Sequence, residues 1–438
     1  MEAVALDRRA LLSAAMRAAL AGAVAARPSG GFARTASRYG ALEALLESYV
    51  AGGRAPGAVV AVIRPGRFRP DYVLTGRTAF AGGGPVAPDT LWRIYSMTKP
   101  VTGIAVMQSV AEGRLSIDTA VGDILPEYRQ MRVLIDPENP ARGLESRPAE
   151  KPLLVRHLLT HSGGFSYHIA GDGPLEREYR RRGLLPIGNL GLGLSPLDGP
   201  VPDLDSFTSR LADLPLVTEP GTAWRYSLSL DLAGGLLQRL HARAFERLLA
   251  ERLFGPLGMA GTGFTVPPAA NGRLSSLYAW ADPKTGKPTG RPELADAPPK
   301  TAWADPPPLP AGGAGLVSSA ADYARFCQML LNDGLFEGRR ILPEGVVRLA
   351  LSNLLPEGLW FNRASGFGAG GSVSLADTRS GNPVGQPPGV FGWGGAAGTL
   401  FQVDPVRRVA VVLMIQFLPA QTFPMGADFQ AAINRDLG

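Results

Sequence analysis

Apolar, β-rich runs lie at both ends of this chain, and they restrict its fold more than any other feature. "GAVVAVIRPG" (57–66) is a β-branched run that fits a buried strand, and "DYVLTG" (71–76) is a plausible neighbour. At the far end, "GTLFQVDP" (398–405) and "RRVAVVLMIQF" (407–417) are two more, separated by Asp404, Pro405 and Val406, which predicts a hairpin. The sequence between them is mostly helical and loop-forming. The economical architecture is a single sheet built from both ends of the chain, flanked by helices, with a mainly helical insertion in the middle. This predicts an α/β (α+β) unit over 39–438, with an α/β part from about 39–98 and 310–438 and a helical and loop insertion over about 99–309.

Helix signals fit this plan. "ALEALLESYVAGG" (41–53) has amphipathic leucine spacing and is stopped by Gly52 and Gly53. "LVSSAADYARFCQMLLNDG" (316–334) reads as a capped helix, with Ser319 and Asp322 at capping-box spacing and Gly334 as the stop. Two Gly/Pro-rich segments, 183–204 and 295–313, are too long for simple connections, which points to lids, binding loops or disordered stretches; the leucine, isoleucine and proline of the first suggest that it packs against something, such as a cleft.

Composition narrows the function classes. Forty-four basic against 38 acidic residues give a net charge of +6, but the excess is scattered arginine, densest at "REYRRRG" (177–183), which reads as a solvated face; no nucleic-acid partner is implied. Cys327 is the only cysteine, so no intrachain disulfide forms, and four histidines without paired ligand spacing imply no metal. The first 38 residues, with "LDRRALLSAAMRAALAGAVAARPSGG" (6–31), read either as a twin-arginine export signal, which is slightly favoured and places the protein in the periplasm, or as an uncleaved amphipathic helix of a cytoplasmic protein. Nothing downstream is long and apolar enough to span a membrane.

The chemistry centres on "LWRIYSMTKP" (91–100). A lysine one helical turn after a serine lies on the same face, so the Lys99 amine can reach the Ser96 hydroxyl, and desolvation makes such an amine a better proton acceptor. A serine at a helix start also gains an oxyanion site from its own N–H and the helix dipole. Alone, S-x-x-K is common, and the pair reads more readily as a helix cap followed by a solvated lysine. Two further stretches bear on the choice. "EPGTAWRYSLSLDLAGGLLQ" (219–238) sets Tyr226 between a Pro-Gly turn and a helix, where its phenol could share the serine proton. "VFGWGGAAGTLFQVD" (390–404) sets Trp393, Gly394 and Gly395 before a strand, and the next amide, Ala396, could complete an oxyanion hole.

The ordered set S-x-x-K, Tyr-Ser and W-G-G resembles the serine β-lactamase and penicillin-binding-protein superfamily, and within it the class C β-lactamase-like esterases, the family VIII carboxylesterases. "IYSMTKPVTGIAVMQSVAEGRLSID", "VGDILPEY", "LLVRHLLTHSGGF", "PGTAWRYS", "LFGPLGMAGTGF" and "GAGLVSSAADYARF" extend the likeness from about residue 40 to the end. The resemblance implies Ser96 as the acylated nucleophile, Lys99 and Tyr226 as the general-base system, the amides of Ser96 and Ala396 as the oxyanion hole, and Trp393, Gly394 and Gly395 as the lining of the acyl site. It implies no cofactor and a small-molecule ester as substrate. His161, in "LLTHSGG", reads as structural.

The departures bear on substrate. Class C β-lactamases carry Lys-Thr-Gly where this chain has Trp393-Gly394-Gly395, and Tyr-x-Asn where it has Tyr226-Ser227-Leu228. The lost lysine would have paired with a β-lactam carboxylate, and the lost asparagine would have bonded its acylamino group. A hydrogen bond to a charged group is worth about 1.5–3 kcal/mol, so an uncharged ester becomes the expected substrate. A β-lactamase or D-alanyl peptidase with a carboxylate anchor elsewhere, such as Arg363 or Arg379, and a non-catalytic relative remain as alternatives.

Overall fold

The computed structural model describes residues 38–186, 201–282, 286–380, 382 and 384–438. The expected export signal and most of the leucine-rich 183–204 loop lie outside the described residues. A seven-stranded antiparallel sheet organises the rest. Its strands are β1 (Gly57–Ile63), β2 (Asp71–Gly76), β3 (Ser365–Phe367), β4 (Ser372–Ser374), β5 (Phe391–Gly394), β6 (Leu400–Asp404) and β7 (Val409–Ile415), in the order β3-β4-β5-β6-β7-β1-β2. The two ends of the sequence meet at the centre, where β1 runs antiparallel to β7 with Val60 opposite Leu413 and Val62 opposite Val411.

Both central strands are buried at every position, which explains why their sequences are continuously apolar rather than alternating. Successive side chains point to opposite faces and enter separate cores. Val59, Ala61 and Ile63 face the large core that includes α2 (Thr98–Ala111) and α4 (Ala320–Leu331). Ala58, Val60 and Val62 face a smaller core with α1 (Gly40–Ala51) and α5 (Met425–Leu437), where they meet Leu42, Leu46, Phe429 and Ile433. Each buried valine contributes about 1.5–3 kcal/mol relative to exposure.

Between α2 and α4 the chain is mainly helical. It includes α3 (Ser229–His241), shorter helices at Val155–Leu159, Pro174–Arg181 and Leu204–Ala212, and two small strand pairs. No helix among the described residues is long and apolar enough to cross a membrane.

Three local expectations are refined. The β6–β7 turn takes four residues, 405–408, because the Asp404 carboxylate accepts from the amides of Val406 and Arg407 and so closes a longer loop. At the start of α4 the Ser319 hydroxyl caps the Asp322 amide (3.0 Å), but the Asp322 carboxylate does not return the bond; it accepts instead from the Gly261 N–H and the Thr262 hydroxyl. The 295–313 segment is not a lid. Asp296 pairs with the buried Arg93 guanidinium, and Trp303 is buried with its indole N–H on the Gly315 carbonyl, which ties the segment beneath the strand that leads to Ser96.

Candidate active site

Residues Leu91–Arg93 form a short strand paired with Val317–Ser319, and the chain then turns sharply to enter α2. Ser96 sits in that turn, a single 3-10 turn over Tyr95–Met97, two residues before the helix proper. The turn is held from several sides. The Ile94 amide donates to the Leu316 carbonyl, the Tyr323 hydroxyl donates to the Met97 carbonyl, and the Thr98 hydroxyl accepts from the Leu316 amide. Tyr95 has a φ of 42°, a left-handed conformation costly for an aromatic residue. It is retained because the buried ring packs edge-on against Trp303. Ser96 remains partly exposed while its neighbours on both sides are buried.

Two side chains converge on the Ser96 hydroxyl. The Lys99 amine lies 3.2 Å from Oγ, and the Tyr226 hydroxyl lies 2.7 Å from it. Lys99 is fully buried and also donates to the Gly313 carbonyl at 2.6 Å, with its nitrogen 4.6 Å from the Tyr226 ring centroid. Tyr226 arrives from the segment preceding α3, which is pinned by the Arg225 amide on the His161 carbonyl and the Leu228 amide on the Ser166 carbonyl.

The W-G-G stretch approaches from the sheet. Trp393 and Gly394 end β5, and Gly395 lies against the backbone just before Ser96: a Cβ there would come within 2.4 Å of the Ile94 carbonyl oxygen. Only glycine permits that approach. Ala396 follows, exposed, and among the described residues its amide donates to no protein acceptor. Trp393 packs on the Tyr226 ring at 5.8 Å and on Phe361 and Phe367, and Trp224 adds a further ring against Tyr226 and Phe361. The wall beside Ser96 is therefore aromatic and uncharged. Arg379, one proposed carboxylate anchor, is engaged by Asp377 through two hydrogen bonds.

His161, which the sequence marks as structural, stands beside the site, and several other neighbours were not marked at all. His161 is buried with a φ of 57°; its ring lies 4.8 Å from that of Tyr226, and Nδ1 bonds the Ser227 hydroxyl. Burial, and then the Lys99 charge, push its pKa well below the usual imidazole range, so the ring is neutral beside the base system. Tyr167, Trp224, Phe361 and Asp231 carry no spacing signal that would have marked them. Their place at the site follows from long-range packing.

A seven-stranded antiparallel sheet with one interior strand ending beside a serine at the start of a buried helix is the architecture of the β-lactamase and penicillin-binding-protein class. The chain belongs to the β-lactamase family, whose model matches residues 42–435, and it is a serine hydrolase of that family. Protein Rv1367c of Mycobacterium tuberculosis is 35% identical over 80% of this chain and 82% of its own length. Esterase EstB of Burkholderia gladioli is 30% identical over 86% of this chain and 90% of its own. Among solved structures, simvastatin synthase (LovD) from Aspergillus terreus superposes with a TM-score of 0.71 over 91% of this chain and 98% of that one, at 24% identity, a likeness of fold.

Proposed function

We propose that this chain is a carboxylesterase that hydrolyses small to medium, uncharged esters through an acyl-enzyme on Ser96. The observation that carries the reading is the convergence of Lys99 and Tyr226 on one hydroxyl oxygen beside an aromatic wall. Likeness to an esterase at 30% identity supports it.

With a neutral phenol and an ammonium, both neighbours donate to Ser96 Oγ and nothing is left to take its proton. The reactive form has one proton fewer, shared between the Tyr226 oxygen and the Lys99 nitrogen, so that the serine hydroxyl can donate. Oγ then attacks the ester carbonyl carbon, and the Ser96 and Ala396 amides hold the oxyanion. The tetrahedral adduct collapses as the proton taken from serine passes to the departing alcohol. A water molecule, deprotonated by the same pair, attacks the acyl-enzyme and releases the carboxylic acid and free Ser96. Trp393, Gly394 and Gly395 line the acyl group.

The test compares steady-state hydrolysis of p-nitrophenyl butyrate and of a chromogenic cephalosporin by wild type and Ser96→Ala. Fast ester cleavage that depends on Ser96, with slow cephalosporin turnover, is expected. The reverse preference would assign the β-lactamase reading instead.

A further inference from the structure

Lys99 and Tyr226 belong to different segments, one on α2 and one just before α3, and their separation has to be fixed by something that touches both. A pair of glycines lies between the two helices. The Gly312 carbonyl accepts from the Thr102 hydroxyl at 2.7 Å and the Gly313 carbonyl accepts from the Lys99 amine at 2.6 Å, so α2 holds both. On the α3 side, the Gly313 amide donates to Asp231 Oδ1 at 2.8 Å. Asp231 is the third residue of α3 and lies five residues after Tyr226. Neither glycine has room for a side chain. A Cβ on Gly312 would stand 2.5 Å from the Leu230 carbonyl oxygen, and one on Gly313 would stand 2.6 Å from Asp231 Oδ2.

We propose that Asp231 is the positioning residue of the nucleophile-activating system: by accepting from the Gly313 amide it fixes the carbonyl that aims the Lys99 amine at Ser96. The proposal deepens the esterase reading and rests on it. Asp231 is fully buried, and among the described residues its Oδ2 has no hydrogen-bond partner. A half-partnered buried carboxylate is costly. Burial raises its pKa to about 6, with Lys99 acting in the opposite direction as the neighbouring charge. A carboxylate in the first turn of a helix that served only the helix dipole would not need this depth or these partners.

The experiment measures p-nitrophenyl butyrate kinetics and, on the same folded samples, the rate at which a fluorophosphonate labels Ser96, read by intact mass. Asp231→Ala is expected to lower kcat and the labelling rate by about 10²-fold, the scale of an ångström's misplacement, while KM changes by less than about threefold. Asp231→Asn keeps an oxygen for the Gly313 amide and is expected to stay within about tenfold of wild type. Gly313→Ala, which drives a methyl into the carboxylate, tests the same link if Asp231→Ala does not fold, and the same loss is expected. A merely structural role would lower the melting temperature without slowing labelling per folded molecule. Labelling of Asp231→Ala at the wild-type rate overturns the proposal, as does Asp231→Asn being as slow as Asp231→Ala. Failure of the wild type to label at Ser96 would instead overturn the parent reading.

Discussion

At the scale of single residues, the phenol of Tyr226 is the shorter of the two contacts to Ser96, 2.7 Å against 3.2 Å for Lys99. If the phenol carries the proton, Tyr226→Phe removes the relay while leaving the ring packed between His161 and Trp393. The expected result is a fall in kcat of about 10²–10⁴-fold, the usual worth of a positioned acid–base group, with KM close to wild type. Near-normal turnover in steady-state assays would remove Tyr226 from the base system. Ser96, Lys99 and Tyr226 were legible in the sequence as members of the ordered set S-x-x-K, Tyr-Ser and W-G-G and the resemblance it carries, not through any one local signal. Asp231 was not, and His161 was marked only as structural, with no sign of its place beside Tyr226. Their relation to the site comes from contacts across more than 60 residues, such as Asp231 to Gly313 and His161 to Ser227, which no local spacing encodes.

Elements are fixed by their ends as much as by their faces. Helix α4 illustrates this, because its first turn depends on the Ser319 hydroxyl accepting from the buried Asp322 amide. Ser319→Ala strips that acceptor where water does not reach, and the loss expected is about 1–2 kcal/mol. Urea denaturation would register it as a lower midpoint at unchanged slope, and an unchanged midpoint would mean that Asp322, held by Gly261 and Thr262, anchors the helix without the cap. Cap signals of this kind made the helix readable in advance, and continuous apolar runs did the same for β1 and β7. The turn that carries Ser96 was less readable. A left-handed Tyr95 has no sequence signature, since the strain is held by Trp303, more than 200 residues later. The 295–313 segment misled for a related reason. Its prolines suggested a lid, whereas its fate is decided by Asp296 pairing with Arg93 beneath the site.

For the whole molecule, the distribution of titratable groups sets how stability responds to acid. All four histidines have pKa values pushed down, and burial is the first cause for each. His157 falls to about 4, and its Nδ1 accepts from the Leu154 amide, which only an unprotonated nitrogen can do. His168 falls to about 3 and, among the described residues, has no partner on either ring nitrogen. In the unfolded chain these imidazoles take up a proton near pH 6.5. Between that pH and their folded values the unfolded state therefore binds more protons, and stability falls as pH falls. At pH 5 each of the two withdraws up to about 2 kcal/mol. Asp231 works in the other direction: burial raises its pKa to about 6, so the folded state alone takes up a proton there and returns about 1 kcal/mol at pH 5, and burial raises Asp322 in the same sense. The histidines win. Carboxylates held low by arginine, such as Glu178 at about 2, stay ionised in the folded protein throughout this window, and the partial protonation of their unfolded forms near pH 5 adds slightly to the loss. Denaturant unfolding should therefore show the protein about 2–3 kcal/mol or more less stable at pH 5 than at pH 7. His168→Gln, which cannot take the proton in either state, should shrink that difference by up to about 2 kcal/mol. A His168→Gln protein that keeps the wild-type difference would mean that the folded protein protonates His168 as readily as the unfolded chain does.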